Sequence, residues 1–90
     1  MKIKKEYILQ KIVGKWIVID TNARSVNFNK LLALNASGKL LWDKLETGAD
    51  REGLVSALID GFGIDLAAAE KDVDHFVLRL KELECLADEE

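Results

Sequence analysis

His75 and Cys85 are the only histidine and cysteine of this 90-residue chain, so they are the first side chains to consider for metal or redox chemistry. A metal site needs three or four converging ligands, and the sequence contains neither CxxC nor HxxxH spacing. His75 falls outside the apolar stripe of its helix, so we expect it on the surface, or in a partner contact or pH-sensitive role. Cys85 has no activating base nearby in sequence, so we expect a structural or half-exposed thiol. We therefore expect no metal ion and no cofactor.

Carboxylate pairs such as Asp72 and Asp74 are the remaining candidates for catalysis. Residues two apart on a helix point to different faces, so this spacing favours exposed surface acids over a cooperating general acid and base. The glycines match neither the GxGxxG pattern nor a phosphate-binding P-loop. The chain is therefore predicted not to be an enzyme.

Acidic residues are concentrated near the C-terminus, although the net charge is only −3. Residues 65–90 carry nine Asp/Glu and three Lys/Arg, whereas residues 1–35 carry seven Lys/Arg and two acids. The acidic segment is either an ordinary solvated helix face or a surface that repels nucleic acid and accepts a basic partner.

The composition, 49% hydrophobic and 32% charged, is typical of a globular domain. No apolar run approaches the roughly 20 residues that span a bilayer, and no secretory hydrophobic segment follows the basic start. A single cysteine fits a reducing compartment. We expect one domain over residues 1–90, frayed at residues 1–5 and 87–90, in the cytoplasm and without membrane contact.

The first third of the chain predicts strands. Residues 7–13 and 16–19 are rich in aromatic and β-branched side chains. The Gly14-Lys15 dipeptide between them predicts a type II′ hairpin turn, since glycine supplies its positive φ. A third strand is expected from residues 26–28 towards residues 32–34, with a bulge or kink at Asn29 and Lys30.

After Asn35 the apolar spacing changes from two to 3.6 residues, which predicts helices. Three polar residues are expected to be N-caps, namely Asn35, Asp50 and Asp65. The first helix is expected to end at Thr47-Gly48, the second at Gly61 to Gly63, and the third near Leu86. The side chains predicted to face inward are Gly38, Leu41, Trp42, Leu45, Leu54, Val55, Leu58, Ile59, Phe62, Ala69, Val73, Phe76, Val77, Leu80 and Leu83.

This order of elements predicts an α+β fold, in which a three-stranded antiparallel sheet is followed by three helices in a winged helix-turn-helix-like arrangement. The third strand is apolar on both faces, because Leu31 and Ala33 alternate with Leu32 and Leu34. At a sheet edge, its free backbone groups would accept an extended peptide. The alternatives are a covering helix or loop, aggregation, or dimerisation through that edge.

Leu78 lies away from the apolar stripe of the third helix. It is either a single exposed leucine or, with Cys85 seven residues later, part of a second narrow stripe that walls a groove.

Three parts of the sequence together form a recognisable pattern. One is the second helix, led by Asp50 and ending near Phe62-Gly63-Ile64. The other two are the patterns Leu34-Asn35-x-x-Gly38-x-x-Leu41-Trp42-x-x-Leu45 and Asp72-Val73-x-x-Phe76-Val77-x-x-Leu80. In this order and spacing they resemble the PqqD family, also called RiPP recognition elements, over about residues 7–86.

The resemblance implies a non-catalytic peptide chaperone. Members of the family bind the leader of a ribosomally made precursor peptide and deliver it to a modifying enzyme, such as a radical SAM protein. The leader adds as a strand to the third strand and lies against the third helix. Carried to this sequence by element, the peptide-binding residues are Asn29, Lys30, Leu31, Leu32, Ala33, Leu34, Lys71, Asp74, Leu78 and Lys81.

Two other functions compete with this one. The helix order alone favours a winged-helix DNA-binding protein, but residues 50–64 contain a single base, Arg51, among three acids. A homodimerisation module using the edge of the third strand is the other alternative. The acidic third helix favours a peptide that carries Lys or Arg, and no nucleic acid partner is expected.

Overall fold

The computed structural model describes residues 1–21 and 32–87, in which a three-stranded antiparallel sheet precedes three helices. The strand order in the sheet is β1-β2-β3, so the predicted α+β arrangement is confirmed. The expected strand over 26–28 and the bulge at Asn29 and Lys30 lie outside the described residues. The elements are β1 (Tyr7–Ile12), β2 (Lys15–Asp20), β3 (Leu32–Leu34), α1 (Ala36–Thr47), α2 (Arg51–Phe62) and α3 (Leu66–Glu82).

The hairpin between β1 and β2 turns one residue earlier than predicted. Ile12 pairs with Lys15, so the loop residues are Val13 and Gly14, with φ of 50° and 77°. Positive φ at both positions defines a type I′ turn, whose twist matches that of the flanking strands, so the predicted type II′ turn is wrong. Val13 is a β-branched residue held in a left-handed conformation, and it is 97% exposed. The turn is therefore strained at Val13.

We expect the substitution Val13→Asn to raise the free energy of unfolding by about 1 kcal/mol, because asparagine tolerates the left-handed region that valine resists. Denaturant unfolding measures the change. Gln10→Asn is the matched control in the regular part of β1, where asparagine is disfavoured and stability should fall. An asparagine at position 13 that left stability unchanged or lowered it would contradict the strained turn.

All three predicted N-caps form. The Asn35 side chain accepts a hydrogen bond from the Gly38 N–H at 2.8 Å. Asp50 and Asp65 cap α2 and α3 in the same way, at 2.7 and 2.8 Å. Each cap satisfies a backbone donor that the first helical turn leaves unpaired. Because these interactions span three residues, they form independently of the tertiary structure.

The third helix is shorter than predicted. It ends at Glu82 instead of near Leu86, because Glu84 adopts a positive φ of 59° and turns the chain. Leu86 then forms an antiparallel bridge with Ile3. Cys85 lies beyond the helix and is 1% exposed, so the expected half-exposed thiol and the predicted Leu78–Cys85 stripe are both wrong. The structural role expected for the cysteine is confirmed by its burial.

The N-terminal segment is hydrogen-bonded into the fold, which corrects the expected fraying of residues 1–5. The Ile3 N–H donates to the Leu45 carbonyl at 3.0 Å, and the Lys4 N–H donates to the Cys85 carbonyl at 2.8 Å. The Ala87 N–H donates back to the Lys2 carbonyl at 2.8 Å. The first residues therefore link the end of α1 to the segment after α3.

One hydrophobic core joins the sheet to the helices. The face of α1 predicted to be buried is confirmed, and Trp42 and Leu45 have no exposed surface. The prediction that Phe62 faces inward is wrong. Phe62 is 45% exposed at the last position of α2, where Gly63 in a left-handed conformation turns the chain. No helix in the described parts of the chain is long and apolar enough to cross a membrane. The buried core consists of Ile3, Val18, Leu34, Leu41, Trp42, Leu45, Leu54, Val55, Leu58, Ala69, Val73, Leu80, Leu83 and Cys85.

Burial raises the pKa of the Cys85 thiol to about 11 and that of the Tyr7 hydroxyl to about 12. Both groups ionise at lower pH in the unfolded chain, so the unfolded state releases protons first as the pH rises above about 9. We expect the stability of the protein to fall between pH 9 and 11 for this reason. Denaturation at a series of pH values measures it, and Cys85→Ala should flatten the profile. A profile unchanged by that substitution would contradict the role of the thiol.

Candidate functional site

Strand β3 lies at one edge of the sheet. It pairs with β2 through Leu32 opposite Val18, Ala33 opposite Ile17 and Leu34 opposite Trp16. Its other side borders no strand among the described residues, so β3 is an edge strand of the described sheet. Backbone groups on a sheet edge are available to a further strand. This edge is the first part of the candidate site.

The side chains of β3 are divided between the two faces of the sheet. Leu34 is buried and Leu32 is half-buried, and both lie against the core, whereas Ala33 between them is exposed. Burial of the two leucines holds the short strand in register, and no described strand pairs with its outer edge.

The end of β3, the first turn of α1 and the middle of α3 meet at Gly38. A Cβ atom placed on Gly38 would lie 3.4 Å from the Phe76 ring and 3.5 Å from the Leu34 Cβ. It would also lie 3.2 Å from the Asn35 side-chain oxygen, which is tighter than usual. Glycine at this position therefore permits the close approach of strand and helices.

A cleft of about 290 Å³ opens beside this junction. Its base is apolar, because Leu41 and Gly38 are buried and Phe76 is half-buried. Its rim is polar on both sides and carries exposed Asp72 and His75 on α3. The cleft can therefore receive a side chain with an apolar part and a polar end. The lining residues are Asn35, Ser37, Gly38, Leu41, Asp72, His75 and Phe76.

The polar groups on the α1 side of the cleft are already hydrogen-bonded. The Asn35 carboxamide oxygen accepts from the Gly38 N–H and also from the Ser37 hydroxyl at 2.9 Å. Lys39, one residue further on, pairs with Asp43 at 2.6 Å and lies 4.7 Å from the centre of the Trp16 ring. The α1 side therefore shapes the cleft, whereas the free charge at its rim comes from α3.

Three of the predicted peptide-binding residues, Asn29, Lys30 and Leu31, lie outside the described residues. Asp74 is placed against α2, where its carboxylate accepts two hydrogen bonds from Arg51, at 2.7 and 3.0 Å. The same guanidinium donates to Glu70 at 3.3 Å. Asp74 therefore joins α2 to α3 and is turned away from the cleft.

The other predicted residues of α3, namely Lys71, Leu78 and Lys81, are exposed and do not line the cleft. Leu78, which is 55% exposed, lies about a third of a turn round the helix from Asp72. The cleft instead uses Asp72 and Phe76, which were not among the predicted site residues. Their spacing of four places them on one flank of the apolar stripe, but periodicity alone does not say which flank faces β3.

The described residues contain no group of three or more His, Cys, Asp or Glu side chains that could hold a metal ion. The site is accordingly built from a strand edge, an apolar cleft and a few polar groups. Such a site suits binding of an extended chain.

We expect Arg51→Gln to raise the pKa of Asp74, which the hydrogen bonds from Arg51 hold below its usual value. A depressed carboxyl pKa stabilises the folded state above the unfolded pKa of about 3.9, and this contribution is lost as the pH falls through the folded value. Carboxyl-carbon NMR titration of both proteins measures the change. An unaltered titration of Asp74 would mean that the pair does not form in solution.

A three-stranded sheet packed on three helices, with a cleft beside the edge strand β3, defines a small domain of α+β class with a candidate binding site. The family described as coenzyme PQQ synthesis protein D (PqqD) matches residues 15–86. The chain belongs to the PqqD family, which confirms the family predicted from sequence.

Two solved structures share the fold along nearly the whole chain. TbiB1 in complex with the TbiA(beta) leader peptide is 24% identical, with a TM-score of 0.74 over 98% of this chain and 100% of that chain. Lasso peptide synthetase B1 complexed with the leader peptide is 17% identical, with a TM-score of 0.74 over 97% and 96%. No curated protein sequence matches this chain.

Proposed function

We propose that this chain is a non-catalytic peptide-binding protein, which binds the leader of a ribosomally synthesised precursor peptide and presents it to a modifying enzyme. The observation that carries this proposal is the open edge of β3 beside a cleft, in a member of the PqqD family. Both related structures above contain a leader peptide bound to their own chain. Strand addition at β3 would supply backbone hydrogen bonds, and the cleft would supply selectivity.

The sheet has two open edges among the described residues, and β3 is the better binding edge. Strand β1 contributes no residue to the cleft, and its outer face carries exposed Ile8 and Ile12 without an adjoining helix. At β3 the added strand would run past Leu34 towards Asp72 and Phe76. Peptide side chains would then contact the cleft, in addition to the backbone hydrogen bonds with β3 that a peptide of any sequence can form.

The proposed footprint covers backbone from about Asn29 to Leu34 and one side of α3. Asp72, His75 and Phe76 would contact the peptide at the cleft. Four other residues of α3 are predicted from sequence to bind the peptide, namely Lys71, Asp74, Leu78 and Lys81. They would contact the peptide only where it continues across α3 beyond the cleft.

The modifying enzyme is proposed to be of the radical SAM type, which the family resemblance implies. One of the two structural neighbours belongs instead to a lasso peptide synthetase, so the fold is shared with a different modification system. The genes beside this one distinguish a radical SAM partner from a lasso peptide synthetase. A radical SAM gene next to a short precursor reading frame supports the proposal, whereas lasso synthetase genes would replace the enzyme and keep the peptide-binding role.

DNA binding is less well supported by the structure. Arg51, the one base of α2, is engaged by Asp74 and Glu70, and α3 carries several exposed acids. Phosphate contacts require available cations. Homodimerisation would use the same β3 edge, so a tight dimer and a bound peptide would exclude each other, and sedimentation with and without peptide separates these cases.

The test of peptide binding is an NMR titration of the ¹⁵N-labelled protein with a 20-residue peptide selected from a random display library. We expect amide shifts in residues 32–34 and in residues 72–79, with slowed hydrogen exchange at β3. Strand β1 is the internal control, because its edge is equally open. Shifts confined to Tyr7–Ile12, or none at high peptide concentration, would overturn strand addition at β3.

Gly38→Ala should weaken peptide binding several-fold, because the new methyl group would occupy the base of the cleft beside the Phe76 ring and press on the Asn35 side-chain oxygen at 3.2 Å. Gly61→Ala is the matched control: it also adds a methyl group to a helix, where it meets only the flexible end of Leu40. Each change should stabilise its helix by up to about 1 kcal/mol through helix propensity. Because this gain is common to both variants, a difference in their affinities reports the effect of the methyl group at the cleft. Titration calorimetry measures the affinities, and equal affinities would argue against peptide contact at Gly38.

A further inference from the structure

We propose that Asp72 makes the cleft a pocket for one cationic side chain, so that this chain selects peptides with Lys or Arg at the position that passes the end of β3. The inference rests on the proposed peptide-binding function and names the chemistry that the site would recognise.

The shape and lining of the cleft match a long side chain with a charged end. Its base is formed by Leu41, Gly38 and the ring of Phe76, and its volume is about 290 Å³. Lys and Arg lay apolar stems along such surfaces while the charged group stays near water. The Asp72 carboxylate on the exposed rim is placed to meet that charged group.

Asp72 has no cationic partner within the part of the chain that the structure describes. Its helical neighbours three and four residues away are Ala68, Ala69, His75 and Phe76, so α3 offers it no Lys or Arg at pairing distance. No hydrogen bond or ion pair is made by its carboxylate to any described residue.

Three basic side chains on the surrounding helices are paired with acids away from the cleft. Arg51 pairs with Asp74 and Glu70, at 2.7 and 3.3 Å. Arg79, two turns beyond Asp72 on α3, contacts Glu82 at 3.5 Å. Lys39 is paired with Asp43 on α1, so none of these three cations neutralises the Asp72 carboxylate at the cleft. A Lys or Arg side chain of the peptide would neutralise the Asp72 carboxylate.

His75 shares the rim with Asp72 and sets a limit on the pocket. Its ring can border the stem of an entering side chain, but it supplies no negative charge. The opposite rim is formed by Asn35 and Ser37, whose side chains carry no charge and are hydrogen-bonded to each other. Selectivity for charge therefore depends on Asp72 alone among the lining residues.

The experiment selects peptides from one random 20-residue display library on three immobilised proteins: the wild type, Asp72→Asn and Asp72→Lys. We expect wild-type binders to be enriched in Lys or Arg at one position. That enrichment should disappear with asparagine and change to Asp or Glu with lysine. Asp60→Asn, an exposed change on α2, is the control and should give the wild-type pattern.

Affinities of individual peptides then give the size of the effect. Asp72→Asn should weaken a cationic peptide by about 3- to 10-fold at low salt, and replacing that Lys by Ala in the peptide should abolish the difference. The effect should shrink as salt increases, since the pair is at an exposed rim. Amide spectra of each variant confirm that the fold is kept.

Failure of the inference is distinguishable from failure of the proposed function. Peptides that shift the β3 amides but show no cation preference, or the same preference with Asp72→Asn, would overturn the role of Asp72 and leave strand addition intact. Libraries that yield no binder acting on β3 would overturn both.

Discussion

The close approach of Leu34, Gly38 and Phe76 is the contact on which the site depends. At this point the last residue of the edge strand, the first turn of α1 and the middle of α3 come within van der Waals distance. A Cβ atom at this position would fill the space between the Leu34 and Phe76 side chains and press on the Asn35 side-chain oxygen, whereas glycine leaves that space open. The buried face of α1 below this contact, including Trp42, holds the helix against the sheet.

From that contact follow the two properties of the site. The packing covers one face of β3, and no strand in residues 1–21 or 32–87 pairs with its outer edge, which suits backbone pairing with little demand on sequence. The cleft beside the edge has a defined shape and one uncompensated carboxylate, which suits choice among sequences. The charges on α3 are treated differently on its two sides. On the side facing α2, Arg51 pairs with Asp74, whereas Asp72 at the cleft has no such partner among the described residues.

Features that depend on neighbours along the chain were predictable. Asn35, Asp50 and Asp65 were recognised as caps because the interaction joins residues three apart. The buried face of α1 followed from apolar spacing in the same way. The sequence predicts the hairpin turn one residue too late, because a glycine suits either of the two loop positions. The register of β1 with β2 decides which position Gly14 occupies.

Other features required contacts between distant residues. Nothing in the local sequence predicts that the Ile3 N–H donates to the Leu45 carbonyl or that Ile3 forms a bridge with Leu86. Cys85 looked half-exposed because the helix was extended over it, whereas the turn at Glu84 carries it into the core. Neither the bridge nor the turn leaves a periodic signal in the sequence.

The sequence by itself determined the order of elements, their caps, their buried faces and the family of this protein, because each depends on local spacing or on a pattern along the chain. The tertiary structure alone decided which side of α3 faces β3. Helical periodicity groups Asp72 with Phe76 and Lys71 with Leu78, but it assigns no neighbour to either side. Packing at Gly38 makes that assignment, and it places the cleft beside Asp72.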